Sequence, residues 1–209
     1  MREKKTDKRK LQGAETKKRL YEIAEKMILE DKYTDINVEE ITDEAGVTKG
    51  AFYVHYESKD ALIAMIISDY VARTDADYKT YLDTLPEGLP AKEVLLALTS
   101  KITDTILNNI GYDNMKKVYQ VLLAGNVDTE GLKGYGRELY SLFCGVLDKG
   151  IRSGEFQSEL SVETLSRHFV TAIRGICFEW CVRYPNFDLR EQTVEHIKLL
   201  TEGIKAHRS

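Results

Sequence analysis

Proline is scarce in this chain, with three residues in 209, at positions 86, 90 and 185. Nowhere do apolar and polar residues alternate with the period of two that marks a half-buried strand, so a sheet of several strands is excluded and an all-α chain is expected. Cysteine is equally sparse. Cys144, Cys177 and Cys181 cannot all pair, and a chain of this length needs no disulfide staples. Cys177 and Cys181 stand i, i+4 on a helical pattern and could present two thiolates to a metal. However, no CxxC or HxxxH accompanies them, and the histidines at 55, 168, 196 and 207 are scattered. Buried, reduced, small apolar residues is the expectation, with no metal site.

Long apolar runs are missing too. The longest, residues 61–67, is broken by Ser68 and Asp69 and falls far short of the roughly 20 residues a membrane helix needs. The opening MREKKTDKRK is followed by no apolar stretch or small-residue cleavage site, so a cytoplasmic protein with no membrane partner is expected. There is no nucleophile elbow, no glycine-rich phosphate loop after a strand and no pair of carboxylates in an apolar setting. Cys144 and His168 offer only residue types, without a local signature. An enzyme is the disfavoured class, and no cofactor is expected.

What is present is helical periodicity with stop and start signals. Leu20, Ile23, Ala24, Met27 and Ile28 recur at helical spacing between Ala14 and Asp31. Asn37 with Glu40 three residues on is a capping-box start for a short helix to about Ala45, stopped by Gly46. Thr48 can cap a third short helix, and Ser58 a long fourth one to about Leu82. TLPEGLP, residues 84–90, is the expected loop before helices at about 91–109, 114–124, 130–153, 161–184 and 188–206, about nine in all.

The stretch ITDEAGVTKGAFYVHYESKDAL, residues 41–62, thus holds two short helices across a glycine turn, braced by a longer helix before them. That is a helix-turn-helix, whose second helix lies in the DNA major groove. Gly50 and Ala51 keep the third helix slim, Lys49 can reach guanine acceptors or phosphate, and the Ala51 methyl can meet a thymine methyl. Tyr53, His55 and Lys59 sit where they can bind phosphates beside the groove. Residues 1–60 carry 13 Lys and Arg against 14 Asp and Glu, but residues 1–20 carry 9 against 3. That basic arm could touch phosphates or the minor groove, or could be a solvated tail.

The run VEEITDEAGVTKGAFYVHYESKDAL resembles the N-terminal signature of the TetR family of transcriptional regulators. The matching residues are Ile41, Ala45-Gly46-Val47, Thr48-Lys49-Gly50, Phe52-Tyr53, Tyr56 and Lys59-Asp60-Ala61-Leu62. The resemblance implies a homodimer in which residues 1–60 read half of a palindromic operator, while residues 61–209 dimerise and bind a small-molecule effector. It implies that Thr48, Tyr53, His55 and Lys59 bind phosphates and that Lys49, Gly50 and Ala51 lie nearest the bases, with Phe52 and Tyr56 as core. Repression released by an effector is the expected function. A helical adaptor whose helix-turn-helix binds protein is the alternative.

In the C-terminal part, Leu165, Phe169, Ala172, Ile173, Gly175 and Ile176 on one helix and Val194, Ile197, Leu200 and Ile204 on the next are candidates for the interface with a twin, or for ordinary intrachain core. Tyr112, Met115, Tyr119, Leu122, Tyr140, Phe143, Cys144, Phe178 and Trp180 are candidates for the wall of an effector pocket.

Overall fold

The computed structural model describes residues 2–29, 36–125 and 127–206, with side chains from Lys10 onward apart from that of Leu29. Among the described residues there is no strand, only helices and one isolated bridge between Phe156 and Lys205. In chain order the helices are α1 (Arg2–Leu29), α2 (Val38–Glu44), α3 (Lys49–His55), α4 (Lys59–Asp83) and α5 (Ala91–Thr105). A π turn (Ile106–Ile110) leads into α6 (Gly111–Ala124), followed by α7 (Glu130–Lys133), α8 (Glu138–Arg152), α9 (Val162–Arg183) and α10 (Leu189–Gly203).

Local chemistry explains most of the starts. The Asn37 side chain accepts from the Glu40 amide while the Glu40 carboxylate reaches back to the Asn37 amide, a complete capping box. Thr48, Ser58, Ser161 and Asp188 cap α3, α4, α9 and α10 by the first of these bonds alone, each side chain accepting from the amide three residues on. The start of α5 is different. Pro90 has no side chain to offer, and the first amides donate instead to Glu155, Ala91 at 2.6 Å and Lys92 at 2.8 Å, from more than sixty residues away.

Three expectations are corrected. α1 begins at Arg2, so the backbone of the basic arm is helical from there, while the expected end at Asp31 lies outside the described residues. The helix expected over 130–153 is two, because Gly134 and Gly136 are poor helix formers and Arg137 is claimed by a partner on α4. Residues 91–124 run on through the π turn, and Gly111, at φ +77°, starts α6 rather than ending a helix.

Two cores share α4. The first gathers Leu20 and Ala24 of α1, Ile41 of α2, Phe52 and Tyr56 of α3, and Leu62, Ile63, Ile66 and Ile67 of α4, with Leu122 of α6 and Leu132 of α7 against it. The second joins Tyr78 near the far end of α4 to Leu95, Leu98, Phe143, Leu147, Phe169, Val170, Ile173 and Ile197. Four residues expected at a dimer interface, Leu165, Phe169, Ile173 and Ile197, are thereby buried inside the chain's own core. Ile176, Leu200 and Ile204 pack partly against that core. Periodicity marks an apolar stripe but not whose core it joins; here α8 and α10 cover the inner stripe of α9. Ala172 and Val194 are half-buried and Gly175 is exposed. The apolar residues that α9 and α10 leave in solvent are Phe178, Val182 (63% exposed) and Leu199 (67%).

One buried ion pair fastens α4 to α8. Asp75, 1% exposed, accepts from Arg137 Nε and Nη2, each at 2.7 Å, and from the Leu139 amide at 3.3 Å. The fork geometry satisfies both oxygens, whereas removal of one partner leaves the other charge desolvated. Asp75→Ala should therefore lower unfolding stability by about 3–5 kcal/mol, read from denaturant midpoints at unchanged slope.

Candidate nucleic-acid interface and cavity

The turn between α2 and α3 is a left-handed helix stop. Gly46, at φ +62°, donates its amide to the Asp43 carbonyl at 3.0 Å, and Val47 donates to Thr42 at 2.9 Å. This is the paired closure that ends a helix and redirects the chain, and it requires the positive φ that glycine adopts without strain. Ile41 and Ala45 are buried at the crossing. α3 is then clamped from beneath. Phe52 is fully buried, its ring 5.6 Å from that of Tyr56, and the Tyr56 hydroxyl donates to the Lys17 carbonyl of α1 at 2.9 Å. Burial pushes the Tyr56 phenol pKa up, so it stays a neutral donor.

That clamping leaves the opposite face of α3 bare. Thr48, Lys49, Gly50, Tyr53 and Val54 are exposed, and Ala51 and His55 half-exposed. Gly50 has ample room, with only the Thr48 hydroxyl within 4 Å of an added Cβ. Lys49 rests on Glu39 of α2 at 3.0 Å, both side chains more than half exposed, a contact that solvent screens and that a phosphate or guanine can replace. The Thr48 hydroxyl is used as the α3 cap. Lys59 has a structural contact as well: its Nζ donates to the Ile36 carbonyl at 3.1 Å, which ties the head of α4 to the segment before α2. Val54 was missed. At 79% exposed it is the barest of the large apolar side chains among the described residues, and it lies two residues, about 200°, from the buried Phe52. That angular offset was available in the sequence.

A second feature is a cavity of about 150 Å³ lying between α1, α4, the π turn, α6 and α9. Its wall is apolar, with Ile28, Ile66, Ile67, Val71, Ile106, Val118 and Leu122 among its residues. Of the nine residues expected to line a pocket, Met115, Tyr119 and Leu122 do so. The other six lie away from this cavity. Tyr112 stacks on Tyr184 with ring centres 3.9 Å apart and meets Trp180 edge-on; Trp180 and Phe143 are buried in the core. Tyr140 is core as well, its hydroxyl meeting Arg174; the Cys144 thiol faces the Val162 carbonyl, and Phe178 points outward. Aromatic residues at helical spacing read alike whether they wall a cavity or fill a core. Polar groups are few at the cavity. The Tyr119 and Tyr78 phenols are pushed up by burial, and Tyr119 donates to the Arg174 carbonyl at 2.8 Å. Asn114 Nδ2 donates to Ile110, while its buried Oδ1 has no partner. Cys177, also on the wall, has its thiol pKa pushed up by the hydrogen bond with Cys181 and by burial. No cluster able to hold a metal occurs among the described residues.

A rigidly mounted, slender helix face beside a glycine turn defines a helix-turn-helix DNA-binding regulator. Residues 20–66 match the model of the bacterial regulatory proteins of the tetR family. It is similar to the HTH-type transcriptional repressor BepR of Brucella suis, 28% identical over 94% of this chain and 95% of that protein. It is also similar to the fatty acid metabolism regulator protein of Bacillus subtilis, 26% identical over 88% and 93% of the two chains. A Thermus thermophilus FadR structure in complex with lauroyl-CoA superposes with a TM-score of 0.71 at 20% identity, covering 92% of this chain and 97% of that one, a likeness of fold. These relatives are named as regulators, and the chain is a transcriptional regulator rather than an enzyme.

Ala51→Leu should abolish specific DNA binding at an unchanged melting temperature, since the added bulk meets the groove and not the core. Val54→Ala should relax preference at a single base pair by about 1–3 kcal/mol, as measured by competition between duplexes differing at one position.

Proposed function

We propose that the chain is a homodimeric repressor in which residues 1–60 place α3 in the major groove of each half of a palindromic operator, while residues 61–209 dimerise and take an effector. The observation that carries this is the bare face of α3: a 7-residue helix with its inner side fully packed and Val54, Tyr53 and Lys49 turned to solvent. Lys49, Gly50, Ala51 and Val54 lie nearest the bases; Thr48, Tyr53, His55 and Lys59 serve the phosphates. For Lys59 one donor is already committed, so its contact uses the remaining N–H bonds. The negative balance of residues 1–60 makes shape and close approach carry much of the specificity.

The cavity is the effector site. The unpartnered Asn114 oxygen among apolar walls supports this, because a ligand donor satisfies it. The wall includes Ile28 of α1 and Ile66 and Ile67 of α4, so a ligand that repositions α4 also repositions α3. The twin packs on the outer face of α9 and α10, around Gly175, Phe178, Val182 and Leu199, where an isologous contact buries the apolar residues that solvent now meets. No described helix is long and apolar enough to cross a membrane, and the protein acts in the cytoplasm, where the DNA is.

Selection of bound duplexes from a random pool should recover a palindrome with half-sites about one helical turn apart, bound with an affinity that falls steeply with salt. Recovery of an unpaired motif, or none, contradicts the proposal. Val182→Asp with Leu199→Asp should give a folded monomer by analytical ultracentrifugation and lose operator binding; a dimer that persists places the interface elsewhere.

A further inference from the structure

The charges on the cavity wall say what kind of molecule it takes, given that the cavity is the effector site. Set into the apolar lining are three cations, Lys117, Arg137 and Arg174, and one carboxylate, Glu25. Glu25 is engaged by Arg73 at 2.5 Å, and Arg137 is held by Asp75. Lys117 is buried, 7% exposed, and is itself engaged by a partner. Arg174 forms no ion pair among the described residues; the side-chain contact of its guanidinium is the Tyr140 hydroxyl, at 3.4 Å. Its position is fixed from behind by the Tyr119 hydroxyl on its backbone carbonyl.

We infer that the effector is an amphipathic anion: a short apolar body lying among Ile66, Ile67, Val118 and Leu122, with a carboxylate accepting from the guanidinium of Arg174. A guanidinium fork matches two carboxylate oxygens, and a charge-assisted hydrogen bond in a low-dielectric site discriminates strongly against a neutral head group. The volume, about 150 Å³, suits a body of a ring or a short chain.

Isothermal titration with octanoate, octan-1-ol and octylamine tests this. Octanoate should bind at least tenfold more tightly than octan-1-ol, with octylamine the weakest. Arg174→Met should bring octanoate down to the level of the alcohol and leave alcohol binding unchanged, while Arg174→Lys should retain a preference for the acid. Equal binding of acid and alcohol by the unmodified protein, no binding of octanoate, or a preference that survives Arg174→Met overturns the inference. The effector-site reading fails separately, if Val118→Phe, which fills the cavity, alters the binding of neither acid nor alcohol.

Discussion

Helix α4 belongs to two cores at once, and the remaining architecture follows from that constraint. Its 25 residues span about 37 Å, with Leu62 to Ile67 packed under the DNA-binding helices and Tyr78 in the core of α5, α8 and α9. A continuous helix cannot move at one end without moving at the other. The Asp75–Arg137 pair pins it to α8, while Tyr21 to Asp69 at 2.7 Å and Arg73 to Glu25 pin it to α1. The cavity opens between these attachments.

The interactions around α4 are of unequal weight. The surface pairs, such as Arg73 with Glu25, are each worth at most about 1 kcal/mol after screening. Packing of Phe52 and Tyr56 dominates the mounting of α3, since truncating a fully buried aromatic residue costs about 3–5 kcal/mol. The recognition face is therefore held by apolar burial, which salt does not weaken, while the contacts it offers to DNA are polar and salt-sensitive. Lys49 illustrates the division, resting on Glu39 until a stronger anion arrives.

Much of this was legible in the sequence, where the signal is local. Asn37 with Glu40, and Thr48, Ser58, Ser161 and Asp188, mark helix starts through hydrogen bonds within three residues, and Gly46 marks a turn through its own backbone freedom. What was not legible depends on partners far along the chain. Glu155 caps α5 from a distant loop, and Asp75 holds Arg137 at the break that Gly134 and Gly136 open between α7 and α8. The same limit governs the candidate sites. Leu165 and Ile197 carry a helical period that fits a twin or a core equally well, and only the packing of α8 and α10 assigns them to the core. Val54 is the converse case: an apolar residue that periodicity tends to assign inward and that the angle from Phe52 turns outward.

The most direct measurement of the central claim, that the bare face of α3 lies in the major groove, is methylation interference at guanine N7 on a bound duplex. Each N7 lies in the major groove, so two patches of interference on one face of the duplex, about ten base pairs apart, are the predicted result. Strong binding with no major-groove interference would contradict it.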